Sequence, residues 1–238
     1  MDVKCSTRDS PLPPLQKTAL RIYSNRFCPY AMRAMLVLEH KNLPYEAVNI
    51  HLKNKPSWYT EKNPLSKVPV IEKGDQIIYE STAVCEWLDE VYPYNRLTPT
   101  DPYIRARDRI LLEYIGKITS LYYGKLKKKE TLEEGITELQ KHYQFFEDEL
   151  ARREGPLFGG SNPAMIDFFI WPFFERLPGL AKRDERIAVN QTAFPRLAKW
   201  YSAMYAVPAV KAIAFDADTH AAFLKTVDEG TPNFDLGL

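Results

Sequence analysis

Apolar and polar positions change rhythm twice along the chain. Through residue 18 no apolar periodicity develops, and Pro11, Pro13 and Pro14 punctuate a polar segment that reads as an extension laid over the surface. Leu20–Ser24, with Ile22 and Tyr23 at its centre, predicts a short strand. The turn Asn25-Arg26-Phe27-Cys28 then leads to Pro29, which suits a first helical turn because the N–H it lacks would be unpaired there. The Ala-, Met- and Leu-rich stretch to His40 predicts a helix, and residues 45–50 predict a second strand. Residues 68–72 and 76–79 flank Lys73-Gly74-Asp75 as a hairpin, and Ser81–Val91 predicts a helix with Val84, Trp87, Leu88 and Val91 on one face. The order is β-α-β followed by β-β-α.

The second change follows the proline-punctuated stretch Tyr92-Pro93-Tyr94-Asn95-Arg96-Leu97-Thr98-Pro99. Downstream the apolar spacing is helical. Leu111, Tyr114, Ile115, Ile118 and Tyr122 keep it, and Leu132, Ile136, Leu139, Tyr143, Phe146 and Leu150 step by four and three alternately. Gly155-Pro156 and Gly159-Gly160 end that run, and residues 165–177 and 194–207 predict two more helices. The pattern divides the chain into an extension (1–18), an α/β domain (19–98) and an all-helical domain (99–238). The boundary falls near residues 92–101.

Composition narrows the function classes. The 238 residues are 45% hydrophobic and 26% charged, which excludes wholesale disorder, and 32 basic against 31 acidic side chains leave a net charge of +1. No global field draws nucleic acid or an anionic membrane. The longest apolar stretches are broken by Arg33, Asp167 and Pro172, and the first residues carry no apolar signal core, so a cytoplasmic protein with no stable membrane association is expected. Three cysteines (Cys5, Cys28, Cys85) and four scattered histidines suggest neither a disulfide framework nor a metal site. Cys5 reads as an exposed, incidental thiol, and Cys85, among the apolar positions of its helix, as core. Lys125-Leu126-Lys127-Lys128-Lys129, followed by Glu130, Glu133 and Glu134, reads as a solvated helix junction.

The sharpest chemical signal is Arg26-Phe27-Cys28-Pro29-Tyr30, between a strand and a helix. Unpaired N–H groups and the positive end of the helix dipole stabilise a thiolate there and lower a thiol pKa from about 8.5 into the range ~3.5–7.5. Arg26 adds positive charge. A small buried hydrophobe is the other reading of the same residue.

Phe27-Cys28-Pro29-Tyr30, combined with Val68-Pro69-Val70, Glu80-Ser81 and an all-helical second half, resembles a glutathione transferase. Within that superfamily the chain resembles the omega class. The residues that carry this are Arg26 to Pro29, Leu52-Lys53-Asn54-Lys55-Pro56, Tyr79-Glu80-Ser81, Cys85-Glu86, Leu88-Asp89-Glu90, Phe174-Glu175-Arg176-Leu177 and the proline-containing extension. The likeness runs from about Leu20 nearly to Leu238.

The resemblance implies a thioredoxin-like βαβ-ββα domain followed by an all-α domain, in a homodimer. It also implies glutathione as co-substrate, a small electrophilic or disulfide second substrate, and Cys28 as a nucleophile for thiol transfer and reductions such as that of dehydroascorbate. Lys55, Val68, Glu80 and Ser81 are the implied glutathione contacts. Val68-Pro69 falls where the fold holds a cis proline, and an ordinary edge-strand proline is the local alternative. Ser81 serves equally as a plain N-cap. Lys55 lies in a local basic excess with Lys41, Lys53, Lys62 and Lys67, which a solvated face would also show. Tyr30, Arg176 and His220 are the implied second-substrate residues, His220 standing where the omega class often carries Trp.

Two departures stand out. Ala31 occupies the place of a glutaredoxin-type second cysteine, so glutathione itself must supply the resolving thiol. Ala164-Met165-Ile166-Asp167 lacks the hydroxyl half of a capping box, with Asn162 or Ser161 as possible substitutes. The alternative readings are a specialised reductase resembling the pyrimidodiazepine synthases of insects and a membrane-inserting relative resembling the chloride-intracellular-channel proteins, whose insertion segment would be interrupted here by Arg21, Arg26, Arg33, Glu39 and His40.

Overall fold

Two compact units make up the structure, a computed structural model that describes residues 3–14, 19–127 and 129–238: Met1–Asn95 with Lys225–Leu238, and Arg96–Leu224. Residues 1, 2 and 15–18 of the expected extension, and Lys128 of the lysine run, lie outside the described residues.

The first unit is built on a four-stranded sheet of order β2-β1-β3-β4, from β1 (Leu20–Ser24), β2 (Glu46–Asn49), β3 (Val70–Lys73) and β4 (Gln76–Tyr79). β1 runs parallel to β2, and the crossover between them carries α1 (Pro29–His40). β3 is antiparallel to both β1 and β4, with Ile22 opposite Ile71 and Val70 opposite Tyr79. A short helix, α2 (Tyr59–Lys62), precedes β3, and α3 (Ser81–Val91) follows β4 and packs against α1. Tyr23, Ala31, Val48, Ile50, Tyr59, Val68 and Val70 form one buried cluster, with Cys28, Leu52 and Trp58 packed against it. The expected βαβ-ββα order is present.

Residues placed at the surface by the sequence turn out to be tied in. Ser6 bridges Ile50 in parallel beyond the edge strand β2, its N–H donating to the Asn49 carbonyl at 2.7 Å, and Trp58 Nε1 donates to the Ser10 carbonyl at 2.8 Å. Cys5 is therefore not an exposed thiol: it is 8% exposed, its N–H donates to Asp235 Oδ1, and Asn25 Nδ2 approaches its sulfur. Residues Lys225–Leu238 belong to this unit and not with the helical half, because Asp235 holds Cys5 and the Leu236 carbonyl accepts from Arg26 Nη1 at 2.8 Å. Lys41 leaves the expected basic face altogether. At 0% exposure its ammonium donates to the carbonyls of Tyr92 and Tyr94, just past the end of α3, and pairs with Asp89 at 2.8 Å.

The second unit is helical, with α4 (Pro102–Tyr123), α5 (Leu132–Leu150), α6 (Met165–Phe174), α7 (Leu177–Ala181), α8 (Pro195–Ala206) and α9 (Pro208–Ile213). α10 (Ala217–Asp228) begins in it and ends in the first unit. Phe146, Phe158, Phe174 and Trp200 meet edge to face across α5, α6 and α8, with Phe174 and Trp200 centroids 5.1 Å apart. The fully buried Asp167 replaces the missing capping box. Its carboxylate accepts from Ala164 N–H at 2.8 Å, as expected, and also from the N–H groups of Phe158 and Gly159 and from Trp200 Nε1. Lys125 pairs with Glu134 and Glu138 at the junction before α5, as a solvated face would.

Candidate active site

Cys28 sits where a strand gives way to a helix, and the local sequence holds it there. Asn25 Oδ1 accepts from Phe27 N–H at 3.1 Å, and the Asn25 carbonyl accepts from Cys28 N–H at 3.0 Å, closing a tight turn after β1. Asn25 Nδ2 ties that turn to the Ile50 carbonyl at 3.0 Å. Cys28 is the N-cap of α1, extended at φ −85° and ψ 117°, with Pro29 at the first helical position. Its carbonyl receives the first helical bond, from Met32 N–H at 3.0 Å. The thiol thus stands at the positive end of the helix, half-buried, with no side chain of its own capping that end.

The thiol opens on a cavity of about 460 Å³ lined by Tyr30, Leu52, Lys55, Ser66, Lys67, Val68, Pro69, Glu80 and Ser81. The structure therefore brings together Cys28, the four residues expected to hold glutathione, and Tyr30. The Val68–Pro69 peptide is cis. The segment before it is fixed from behind, since the Lys67 carbonyl accepts from Tyr59 Oη at 2.8 Å and from Asn63 Nδ2 at 2.9 Å. On the far side, Glu80 adopts φ +70°, a left-handed conformation that costs a residue with a Cβ on the order of 1–3 kcal/mol. Glu80, not Ser81, is the N-cap of α3, and its carbonyl accepts from Val84 N–H. Ser81 is the first helical residue and is buried.

Charge in the cavity differs from the expected basic cluster. Lys55 and Lys67 line it, whereas Lys62 pairs with Glu72 of β3. Arg26 turns its guanidinium to the C-terminal Leu236 carbonyl. Arg33 acts electrostatically on Cys28, and sequence reasoning treated it only as an interruption of an apolar stretch. Its signal was that interruption: Arg33 stands alone among Ala31, Ala34, Met35, Leu36, Val37 and Leu38, all buried. Burial pushes the Cys5 and Cys85 thiols well above their ordinary range.

Arg176 and His220 belong to the second unit. The resemblance put them on a substrate wall, but each is only 2% exposed and both gather around Glu175. Arg176 Nη1 is 2.9 Å from Glu175 Oε2, and His220 Nε2 is 3.4 Å from Oε1 of the same carboxylate, which also accepts from Phe215 N–H. Tyr30 lines the Cys28 cavity, at 37% exposure.

Residues 22–96 match the family model for the glutathione S-transferase N-terminal domain, and residues 129–203 match that for the C-terminal domain. The chain is 40% identical to human glutathione S-transferase omega-2 over 230 residues, covering 94% of this chain and 93% of that one. The chain belongs to the omega-class glutathione transferases. Pyrimidodiazepine synthase of Drosophila melanogaster is similar to the same degree, 39% identical over 235 residues covering 96% of this chain and 95% of the relative. Among solved structures, a tau-class glutathione S-transferase from mango superposes with a TM-score of 0.80 at 25% identity, covering 89% of this chain and all of that one. Among the described residues of this glutathione transferase, no group of potential metal ligands gathers, and no helix is long and apolar enough to cross a membrane.

Proposed function

We propose that this omega-class enzyme is a glutathione-dependent thioltransferase and reductase, dehydroascorbate among its substrates, with Cys28 as nucleophile. The supporting observation is a half-buried cysteine at the start of α1, open to a cavity that also holds Lys55, Val68, Glu80 and Ser81, with Ala31 where a second thiol would stand. The Cys28 thiolate attacks the glutathione sulfur of a mixed disulfide. The S–S bond breaks, the substrate leaves as a thiolate that takes up a proton, and Cys28 is left bonded to glutathione. The thiolate of a second glutathione attacks that sulfur, releasing oxidised glutathione and regenerating Cys28. For dehydroascorbate, two reduced glutathiones are consumed per turnover: they supply the two electrons and two protons and leave as oxidised glutathione.

In this reading the Val68 backbone pairs with the cysteinyl part of glutathione as an added strand would. Ser81 and the N-terminus of α3 receive the γ-glutamyl carboxylate, Glu80 positions that end of the peptide, and Lys55 meets a carboxylate. Tyr30 forms a wall of the cavity for the second substrate, and Arg176 and His220 are second-substrate residues that act through Glu175. The enzyme works as a cytoplasmic homodimer. The 39% identity to pyrimidodiazepine synthase favours a second reading, a specialised reductase with the same Cys28 chemistry and a different electrophile. Rates with a mixed disulfide, dehydroascorbate, an aromatic chloride and a pteridine substrate distinguish the two.

Limited iodoacetamide treatment at pH 6 is expected to label Cys28 well before Cys5 or Cys85. Cys28 stands at a helix N-terminus, while burial keeps the other two protonated. Mass spectrometry reads the outcome, and equal labelling of Cys5 and Cys28 contradicts it. Ser81→Ala is expected to weaken glutathione binding by about 0.5–3 kcal/mol, the span from a neutral hydrogen bond to one with a charged group. Calorimetric titration measures the loss, and an unchanged affinity removes Ser81 from the grip.

A further inference from the structure

Behind the cavity, one charged side chain has no part in the chemistry above. Arg33, 4% exposed, projects from the otherwise apolar face of α1, where a cation is costly to bury without a compensating role. Its Nη1 donates to Ser81 Oγ at 3.3 Å, and its guanidinium carbon lies 5.2 Å from the centre of the Tyr30 ring. Its charge also acts on the Cys28 thiol. One buried cation thus serves the nucleophile, the carboxylate end of the glutathione site and the cavity wall.

The hydrogen bond to Ser81 has a direction. A guanidinium carries only donors, so the serine oxygen accepts and its own proton is sent elsewhere. Among the described residues that hydroxyl makes no second hydrogen bond, and Ser81 lines the cavity. Its proton is therefore left to an acceptor in the cavity, which suits a carboxylate. We propose that Arg33 is a positioning residue of the glutathione site: its charge favours the Cys28 thiolate, and its N–H turns the Ser81 hydroxyl outward as a donor to the ligand's carboxylate. The proposal rests on the reading of Cys28 as nucleophile and Ser81 as part of the grip.

The other titratable groups about the thiol and the guanidinium come from each element packed there. Among them are Tyr23 of β1, Tyr59 of α2, Tyr30 of α1 and Cys85 of α3, with Glu86 and Asp89 of α3 beside Cys85, and Lys55, Lys67 and Glu80 lining the cavity. Burial pushes Tyr23, Tyr59 and Cys85 upward, so they stay neutral and do not compete with the Cys28 thiolate for Arg33.

The test uses the full chain without glutathione and follows Cys28 alkylation against pH by mass spectrometry. Arg33→Met, an unbranched apolar replacement that removes the buried charge, is expected to raise the midpoint by about one pH unit, the low end of what one nearby opposite charge does. Arg33→Lys, which keeps the charge, is expected to restore it. Arg33→Met and Ser81→Ala should each weaken glutathione binding, and the double variant should lose no more than the greater single loss, because both remove one linked feature. Thermal unfolding identifies the folded variants. An unmoved midpoint in folded Arg33→Met, additive losses with Ser81→Ala, or a one-unit rise in Arg33→Lys overturns the proposal, and the Lys variant decides if the Met variant does not fold. None of these readings requires thiol transfer, so failure of the nucleophile assignment itself, shown by an active Cys28→Ala, remains a separate result.

Discussion

Cys28→Ala is expected to abolish thiol transfer while leaving glutathione bound. The contacts assigned to the peptide lie on Lys55, Val68, Glu80 and Ser81, which line the cavity together with Cys28 and are all kept when its sulfur is removed. Removing the nucleophile takes away the covalent route, so the loss falls on kcat and not mainly on affinity. The fold should tolerate the change. Cys28 packs only partly against the core cluster, its side chain makes no cap, and its backbone bonds to Asn25 and Met32 are kept by alanine. A glutathione titration alongside a mixed-disulfide assay separates the two effects. A variant that keeps most of its thioltransferase rate moves the nucleophile elsewhere and ends this mechanism, because Cys5 and Cys85 are buried and Ala31 offers no thiol.

The first unit was readable from sequence because its signals are local. β1, α1, β4 and α3 fall on the expected residues, each bounded by a turn, a proline or a glycine. β3 starts at Val70 and not at residue 68, since Val68 and Pro69 form the cis corner that shapes the cavity. The helical half was less legible. The expected helix over 165–177 stops at Phe174, where Glu175 and Arg176 turn to an ion pair, and α10 carries too few apolar residues to announce itself, burying mainly His220 and Leu224.

In the site, Cys28, Val68, Glu80 and Ser81 were visible as motifs, whereas the fates of Lys41, Arg26, Cys5 and Arg33 were not. Each of these is decided by a partner distant in sequence: carbonyls at 92 and 94, a carbonyl at 236, a carboxylate at 235 and a hydroxyl at 81. Side-chain type and spacing say nothing about such partners. A lone arginine in an apolar helix is the one such feature that a sequence could have flagged.

Asp167→Ala is expected to produce the largest loss of stability in the chain. The side chain is fully buried, and four donors converge on it: the N–H groups of Phe158, Gly159 and Ala164 and the Trp200 indole. Alanine strands all four in a site that water does not reach, and each unsatisfied buried group costs about 1–3 kcal/mol. Even with partial relaxation the sum is about 4 kcal/mol or more, a large fraction of the ~5–15 kcal/mol that holds an ordinary domain together. Asp167→Asn should fare little better. Oδ1 meets Phe158 and Trp200 while Oδ2 meets Gly159 and Ala164, so an amide nitrogen in either place opposes two donors with a third.

The pH dependence gives a second check on the same residue. Burial pushes the Asp167 carboxyl up to about 6, against the pull of its four donors, whereas the unfolded value lies near ~4. The folded state therefore holds a proton that the unfolded chain has released in that window, and wild-type stability from this group falls as pH rises from about 4 to about 6. The gap between wild type and Asp167→Ala, measured by urea unfolding, should narrow over that range and stay positive above it. A variant within 1 kcal/mol of wild type at pH 7 would show that the four donors find other partners, and that Asp167 does not hold the start of α6.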